Sequence, residues 1–596
     1  MDRYPPIAAH GLVGDLQTGA LVSEQGVVDW FTAPRFDSPS IFAALLDHDR
    51  GGFFRLSPDD PGCSRKQLYY PDTAVLVTRF MSPDGVGEVL DWMPPITSGT
   101  ATDRHTLFRT VRVVRGTVRF SMECRPRFDY GRASHELELR PGGASFRASG
   151  LVGHLSAGFP LERDGDDVRG TVTLHSGEVS AAVLTVCAAD VDSVTEQLWE
   201  AADFWQKWLR TSSYRGRWSD MVNRSAITLK LLTYHPTGAP VAAATMGLPE
   251  QVGGERNWDY RYTWIRDGAL SVRALLDLGF AQEATAFTHW LGDRLGDQDI
   301  DDEALRIMYR VDGEPLLAEE VLGHLAGYRG SHPVRLGNAA SGQLQLDIYG
   351  EALYALSEGR EVGMQAGYRG WKKVSRVLDW LAGSWDRPDE GIWETRGGRK
   401  DFTYSRVMCW AAFDRGLRLA AAFSRPADTA RWTRARDAVL EQVMEHGWSE
   451  QKQAYVQHYG GDVLDASLLL MPRVGFLAPK DPGWLATLDA IEETLVSDSL
   501  VHRYDPAASP DGLRGSEGTF SLCTFLYVDA LARAGRLRPA RYMFEKMLTY
   551  ANHVGLFAEE IGPSGEQLGN FPQAFTHLSL ITAARTLDEA LDRQRD

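Results

Sequence analysis

The hydrophobic period changes once along this chain, near Ser193, and that change limits what the chain can fold into. Before it, apolar residues recur at every second position. Val118-Arg-Phe-Ser-Met-Glu-Cys124 alternates without a fault, which puts Val118, Phe120, Met122 and Cys124 on one face of a strand. Similar short runs lie at 74–80, 86–92, 107–114 and 183–186, separated by turn-forming clusters such as Ser82-Pro-Asp-Gly85 and Arg163-Asp-Gly-Asp-Asp167. Many short strands with turn signals between them predict an antiparallel β-sandwich over about residues 1–200.

Beyond that point the period is 3.6. Val222, Ser225, Ala226, Leu229 and Leu232 form one helical stripe that ends near Tyr234-His-Pro-Thr-Gly238. Twelve helices are predicted, near 217–232, 267–278, 281–293, 341–358, 366–383, 404–423, 428–446, 464–471, 484–496, 518–534, 536–549 and 571–590. Twelve helices joined by long, aromatic-rich loops suit a double ring of six inner and six outer helices over about 215–596. A helical linker at 201–214, containing Phe204, Trp205 and Trp208, would join it to the sandwich.

Charge and motif content then remove whole classes of function. With 63 Lys+Arg against 80 Asp+Glu the net charge is −17, so no general field attracts nucleic acid or an acidic membrane. No apolar run approaches the roughly 18–20 residues that span a bilayer. The N-terminus lacks a basic stretch followed by an apolar core, and the five cysteines are odd in number and widely spaced. Reduced thiols in a cytoplasm are therefore expected. There is no Gly-x-x-x-x-Gly-Lys and no Gly-x-Ser-x-Gly, and the histidines never sit at helix-face metal spacing. Carboxylates become the leading candidates for chemistry, with no metal or organic cofactor implied.

Three segments concentrate such groups. Gly253-Gly-Glu-Arg-Asn-Trp-Asp-Tyr-Arg-Tyr-Thr-Trp-Ile-Arg-Asp267 sets Trp258, Tyr260, Tyr262 and Trp264 beside Arg266 and Asp267, just before a helix. Flat rings stack on the C–H faces of a pyranose, and an Arg–Asp pair can bond two neighbouring hydroxyls. A buried aromatic loop with a structural ion pair would read the same way. In Asp389-Glu-Gly-Ile-Trp-Glu-Thr-Arg-Gly397, Glu394 follows Trp393 in a Gly-bounded loop. A carboxyl against an indole is partly desolvated and kept protonated, although a solvated loop acid is the blander alternative. In Gly555-Leu-Phe-Ala-Glu-Glu-Ile-Gly562, two adjacent acids on an extended chain cannot both face one pocket. Val334–Glu351 and Arg503-Tyr504 are weaker, the former carrying amides and carboxylates at a helix start.

Taken in order, these segments resemble glycoside hydrolase family 15, the glucoamylase and bacterial trehalase family, over nearly the whole chain. Val28-Asp-Trp-Phe-Thr-Ala-Pro-Arg-Phe-Asp-Ser-Pro39 looks like the sandwich of its trehalase-like branch, and Asn257–Asp267, Gly391-Ile-Trp-Glu394 and Phe557-Ala-Glu559 look like its active-site motifs. The resemblance implies an (α/α)6 barrel, Glu394 as general acid and Glu559 as general base. Arg266, Asp267 and Arg503 would hold the terminal glucose, with Tyr260 near the nucleophilic water and Trp264 and Trp393 as pocket walls. Trp258 and Asp259 belong to the same binding motif, and His577 falls where fungal relatives carry a tryptophan. Two departures stand out: Thr395 replaces the second glutamate that grips the next sugar, and a segment one residue shorter after Glu559 leaves Glu560 as a rival base.

A protonated Glu394 and an ionised Glu559, roughly 6.5–9.5 Å apart, would hydrolyse an α-glucoside with inversion and release β-glucose. The expected partner is a small cytoplasmic α-glucoside, with α,α-trehalose ahead of malto- or isomalto-oligosaccharides. No nucleic-acid or membrane partner is expected, and a homo-oligomer is left open. The rival classes are a disaccharide phosphorylase, which needs no second carboxylate, and a non-catalytic carbohydrate-binding protein, which needs neither.

Overall fold

The computed structural model describes residues 3–148, 150–187, 193–295, 305–315, 317–360, 367–509 and 511–594. Two antiparallel sheets fill the first third of the chain. One contains His10–Gly14, Gly19–Ser23, Val27–Thr32, Ser40–Phe42, Phe53–Pro58, Leu161–Asp164 and Asp167–His175; the other contains Ser64–Tyr69, Leu76–Met81, Gly85–Trp92, Glu136–Arg140, Gly143–Ala148, Leu151–Ala157 and Val179–Val186. A single 21-residue strand, His105–Arg125, belongs to both. Its first half pairs with Gly85–Trp92 and Val179–Val186, its second with Phe53–Pro58 and Asp167–His175.

The sequence predicts two strands here, with a break near Gly116. The structure instead carries the chain through the break as a bend. Gly116 has φ +72°, and a Cβ on it would lie 2.0 Å from the Asp84 carbonyl oxygen, so only glycine lets the strand cross from one sheet to the other. Beyond the bend, Val118, Phe120, Met122 and Cys124 are buried as the alternation requires. The sheets are joined where the Tyr69 hydroxyl bonds both backbone groups of Leu12 at 2.8 Å. Arg109, fully buried, pairs with Asp91 and reaches the Gly26 carbonyl.

After the helix Val194–Leu209, the chain builds the two helical rings. The inner elements are Ile265–Asp277, Asp347–Gly359, Thr403–Ala422, Ala466–Leu470, Ser521–Arg533 and Ala574–Arg593; each touches the next, and the last returns to the first. Ser219–Leu231, Ala281–Arg294, Tyr368–Leu381, Thr429–His446, Pro482–Leu495 and Leu537–Leu548 pack outside them. Burial explains the sorting. Ser521–Arg533 is buried on nearly every side, whereas Tyr368–Leu381 buries one stripe, Trp371, Val374, Val377, Leu378 and Leu381. Inner helices also approach closely: a Cβ on Gly350 would meet the Met408 carbonyl oxygen at 2.3 Å.

The predicted helix at 464–471 is a short 3-10 turn, Ala466–Leu470. Pro472 forbids continuation, and Asp465 accepts from Ser467 N and Gln457 Nε2, locking the turn. The predicted start of the helix at 366 lies outside the described residues. Among the described residues no helix is long and apolar enough to cross a membrane.

Sandwich and barrel meet at a buried polar junction. Arg261 pairs with Asp259 at 2.7 and 2.8 Å and donates to the Ser38 carbonyl at 2.8 Å and the Tyr130 hydroxyl at 2.9 Å, with no exposure of its own. Trp30 Nε1 donates to the Ala244 carbonyl at 2.7 Å. Arg261→Met keeps an unbranched apolar stem but removes the guanidinium, leaving the Asp259 carboxyl buried with only backbone donors. The expected loss is about 3–5 kcal/mol, read from the urea midpoint; a loss below about 1 kcal/mol would show that the pair contributes little.

Candidate active site

A cavity opens at the N-terminal ends of the inner helices that begin at Ile265, Ser521 and Ala574. Counted out to open solvent, the space between its lining side chains is about 770 Å³. Helix N-termini bring partial positive charge to the same place. Trp258, Tyr260, Trp264, Arg266, Asp267, Trp393, Glu394, Arg503 and Glu559 all line it, although they are drawn from segments spread over three hundred residues.

The aromatic segment delivers its side chains by strand geometry. Asn257–Asp259 pairs with Met246–Pro249, so successive side chains point to opposite faces. Trp258 and Tyr260 enter the cavity, whereas Asn257, Asp259 and Arg261 turn into the scaffold and are fully buried. Asp259, expected to bind substrate, instead holds Arg261 and the Gly337 N–H and does not line the cavity. At the following helix, Arg266 is oriented by Asp267 (2.8 Å) and the Ile392 carbonyl (2.8 Å), with its guanidinium over the Phe575 ring.

Glu394 sits in a tight loop with φ +59°, just after Gly391 at φ +72°. Such a conformation is costly for a side-chain-bearing residue and persists where the surroundings impose it. Gln343 Nε2 holds the Glu394 and Thr395 carbonyls. The indole that bonds the acid is Trp264, whose Nε1 donates to Glu394 Oε1 at 2.6 Å; Trp393 donates instead to Asp465 and packs near Arg503 and Phe520. Burial raises the Glu394 pKa, with Arg266 at 3.6 Å and the Trp264 hydrogen bond opposing it.

Glu559 accepts from the Tyr260 hydroxyl at 2.6 Å through Oε1, and its buried Oε2 has no protein partner. Gly569, at φ +78°, backs the carboxyl so closely that a Cβ there would lie 2.6 Å from Oε2. Glu560 points the other way, receives the Gly518 N–H at 2.7 Å and does not line the cavity. Burial first, then the charge of Glu250, raises the Glu559 pKa to about 8.

His577, the other expected contact, is absent from the cavity wall. It is fully buried, with Nδ1 against Ser225 Oγ at 2.9 Å and Nε2 accepting from Phe557 N at 3.3 Å. Burial and Arg224 drop its pKa to about 3, so it acts as a neutral brace for the segment from Phe557 to Glu559.

The sequence did not single out Glu250, Asp511, Phe520 or Phe575, which also line the cavity, nor Glu517 behind them. Glu517 holds Arg503 at 2.6 Å, and Asp511 holds Arg256 at 2.7 and 3.0 Å. A signal for the first of these existed: Gly253-Gly254 turns the chain back, which brings Glu250 against Trp258 Nε1 at 2.7 Å. Asp511 and Glu517 sit in an aperiodic loop that offers no such sign. Among the described residues, no group of three or more His, Cys, Asp or Glu side chains could hold a metal ion.

Comparison with known proteins places this geometry. Residues 216–585 match the model of glycosyl hydrolases family 15, and residues 2–189 match the trehalase-like N-terminal model. A trehalase of Thermoplasma volcanium is 37% identical over 600 residues, covering 99% of this chain and 95% of its own. A trehalase of Mycolicibacterium smegmatis is 38% identical over 611 residues, covering 97% and 91%. A bacterial glucoamylase solved with acarbose superposes with a TM-score of 0.72 at 12% identity, covering 99% of this chain and 96% of its own, and so shares the fold.

The two adjacent glutamates can be separated by substitution. Glu559→Gln should lower kcat on an α-glucoside by about 10²–10⁴-fold, while Glu560→Gln should stay within roughly tenfold of the parent. Steady-state kinetics on both variants checks this, and a larger loss in Glu560→Gln would reverse the assignment.

Proposed function

From the premise that this chain belongs to glycosyl hydrolases family 15 and is a glycoside hydrolase, we propose that it hydrolyses α,α-trehalose with inversion, releasing β-glucose from the ring that is attacked. The observation that carries the reading is that Glu394 and Glu559 line one cavity with an Arg–Asp pair beside them. The two trehalases matched almost end to end, through the N-terminal sandwich as well as the barrel, favour trehalose over longer gluco-oligosaccharides.

In this mechanism Glu394 gives its proton to the glycosidic oxygen as the C1–O bond breaks. Glu559 takes a proton from the water that attacks C1 from the opposite face. Tyr260 occupies Glu559 Oε1, which leaves the unpartnered Oε2 as the atom that receives the proton. Arg266, Asp267 and Arg503 would bond the hydroxyls of the first glucose. A phosphorylase would have no use for the buried acceptor that Glu559 offers. The five cysteines are free thiols, which suits a reducing compartment, and we place the enzyme in the cytoplasm.

The experiment is hydrolysis of trehalose, maltose, isomaltose and maltotriose in phosphate-free buffer, with product anomers followed by NMR before mutarotation. Trehalose should be cut best, giving equal α- and β-glucose. Cleavage that needs added phosphate and yields glucose 1-phosphate would overturn the reading. In Glu559→Ala, azide should restore turnover as a glycosyl azide of inverted configuration.

The pH profile follows from the same charges. Activity requires Glu559 ionised and Glu394 protonated, so kcat/KM should fall on both sides of a bell, with apparent pKa values that belong to the pair. Glu559 is raised by burial and by Glu250, so the acidic limb should lie well above the roughly 4.3 of an ordinary glutamate. Glu250→Gln removes the like charge and should move that limb to lower pH; a limb near pH 4 in the parent would contradict the assignment.

A further inference from the structure

The leaving sugar has no obvious anchor at the position suggested by the family resemblance. Thr395 stands there, and its Oγ1 turns back onto the Glu390 carbonyl at 3.2 Å. The hydrolase reading, on which this inference rests, therefore needs another group to hold the second ring.

Glu250 lines the cavity with 2% exposure, and neither the chemistry nor the packing accounts for all of it. Its Oε1 accepts from Trp258 Nε1 at 2.7 Å. Its Oε2 is buried and unpartnered, 3.9 Å from the nearest guanidinium nitrogen of Arg256. Arg256 cannot close that gap, because Asp511 takes both its terminal nitrogens; its own Nε, also buried, is unpartnered. An orphaned acceptor and an orphaned donor thus belong to two neighbouring side chains that both line the cavity. Buried polar atoms without partners are costly, and a sugar, whose hydroxyls both donate and accept, offers partners of either kind.

Position indicates which sugar. Trp264, Arg266, Asp267 and Phe575 make one wall, tied together through Arg266 and the Ile392 carbonyl. Glu250, Arg256, Trp258 and Arg396 make another, tied by the Trp258–Glu250 bond, by Arg396 over the Trp258 ring at 4.7 Å and by the Arg396 N–H on the Asp511 carbonyl. Among the described residues no hydrogen bond or ion pair links these two sets of side chains directly. Glu394 is bonded to the first wall through Trp264, and Glu559 is held by Tyr260. A first ring held at Arg266 and Asp267, with its glycosidic oxygen at Glu394, places the second ring against the loop wall.

We propose that Glu250, with Arg256, forms the subsite for the departing hexose, its free Oε2 accepting a hydrogen bond from a hydroxyl of that ring. Glu250 is then a specificity residue for glucosides whose leaving group is itself a sugar.

The test compares two substrates that share the first glucose. Trehalose presents hydroxyls to this wall, whereas α-glucosyl fluoride leaves as an ion with none. In Glu250→Gln, the amide oxygen stays with Trp258 and the amide nitrogen, a donor, replaces the free acceptor. The ratio of kcat/KM for trehalose to kcat/KM for the fluoride should fall about 10- to 100-fold. Any change in base ionisation affects both substrates alike and cancels in the ratio. An unchanged ratio, whether both activities fall together or neither does, would overturn the proposal. If Glu250→Gln does not fold, Trp258→Phe, which removes the N–H that aims the carboxylate, must lower the same ratio. Failure of both variants to fold would assign Glu250 to the scaffold and overturn the proposal. Should the parent ignore trehalose, the trehalase reading fails by itself, and the ratio is taken with whichever α-glucosyl disaccharide is cleaved.

Discussion

The buried Arg261–Asp259 pair is the contact on which the rest of this molecule depends. Two charges without exposure are expensive unless every lone pair and proton is used. Here Arg261 spends its donors on Asp259, on the Ser38 carbonyl and on the Tyr130 hydroxyl. The first partner lies in the barrel and the other two in the sandwich. The pair therefore fixes one domain against the other at the extended segment that runs from the strand Asn257–Asp259 through Tyr260. Because side chains alternate along that segment, anchoring Asp259 and Arg261 in the scaffold obliges Trp258 and Tyr260 to face the cavity. The sandwich reaches the chemistry through that backbone without lining the pocket.

Charge in the barrel mouth is arranged around an excess of carboxyls. Glu250, Asp511, Glu517, Glu559 and Glu560 crowd two arginines, Arg256 and Arg503. The arginines pair most closely with Asp511 and Glu517; burial first, with the neighbouring carboxyls adding to it, raises the pKa values of Glu250, Glu559 and Glu560. An acceptor poised to take a proton needs this kind of environment. The same crowding leaves buried oxygens on Glu250, Glu559 and Glu560 without protein partners.

Much of the architecture was legible because periodicity reports burial directly. Eleven of the predicted helices correspond to α-helices in the rings; the remaining one, 464–471, failed because an apolar run before Pro472 looks helical whether or not it can propagate. The long strand His105–Arg125 covers two separate apolar runs, 107–114 and 118–124, because the alternation lapses at the bend around Gly116. In the site, the cavity-lining residues that the sequence does single out come from motifs dense in rings and acids, whereas Glu250, Asp511, Phe520 and Phe575 do not. Asp259 and His577 belonged to those motifs and yet point elsewhere, since a motif does not say which face of a strand or helix is wet.

By itself the sequence determined the two periods, the order of the elements and the supply of carboxyls and aromatic rings, since these depend only on spacing and side-chain type. Which glutamate of the adjacent pair meets the cavity was decided by the short strand Glu560–Ile561 pairing with Thr519–Phe520, which turns Glu560 to the Gly518 N–H. Which indole bonds Glu394 was decided by the approach of Trp264 from a segment 130 residues away. The place of Glu250 was decided the same way, by loops that converge only when the inner ring closes. Such contacts are long-range, and no local pattern encodes them.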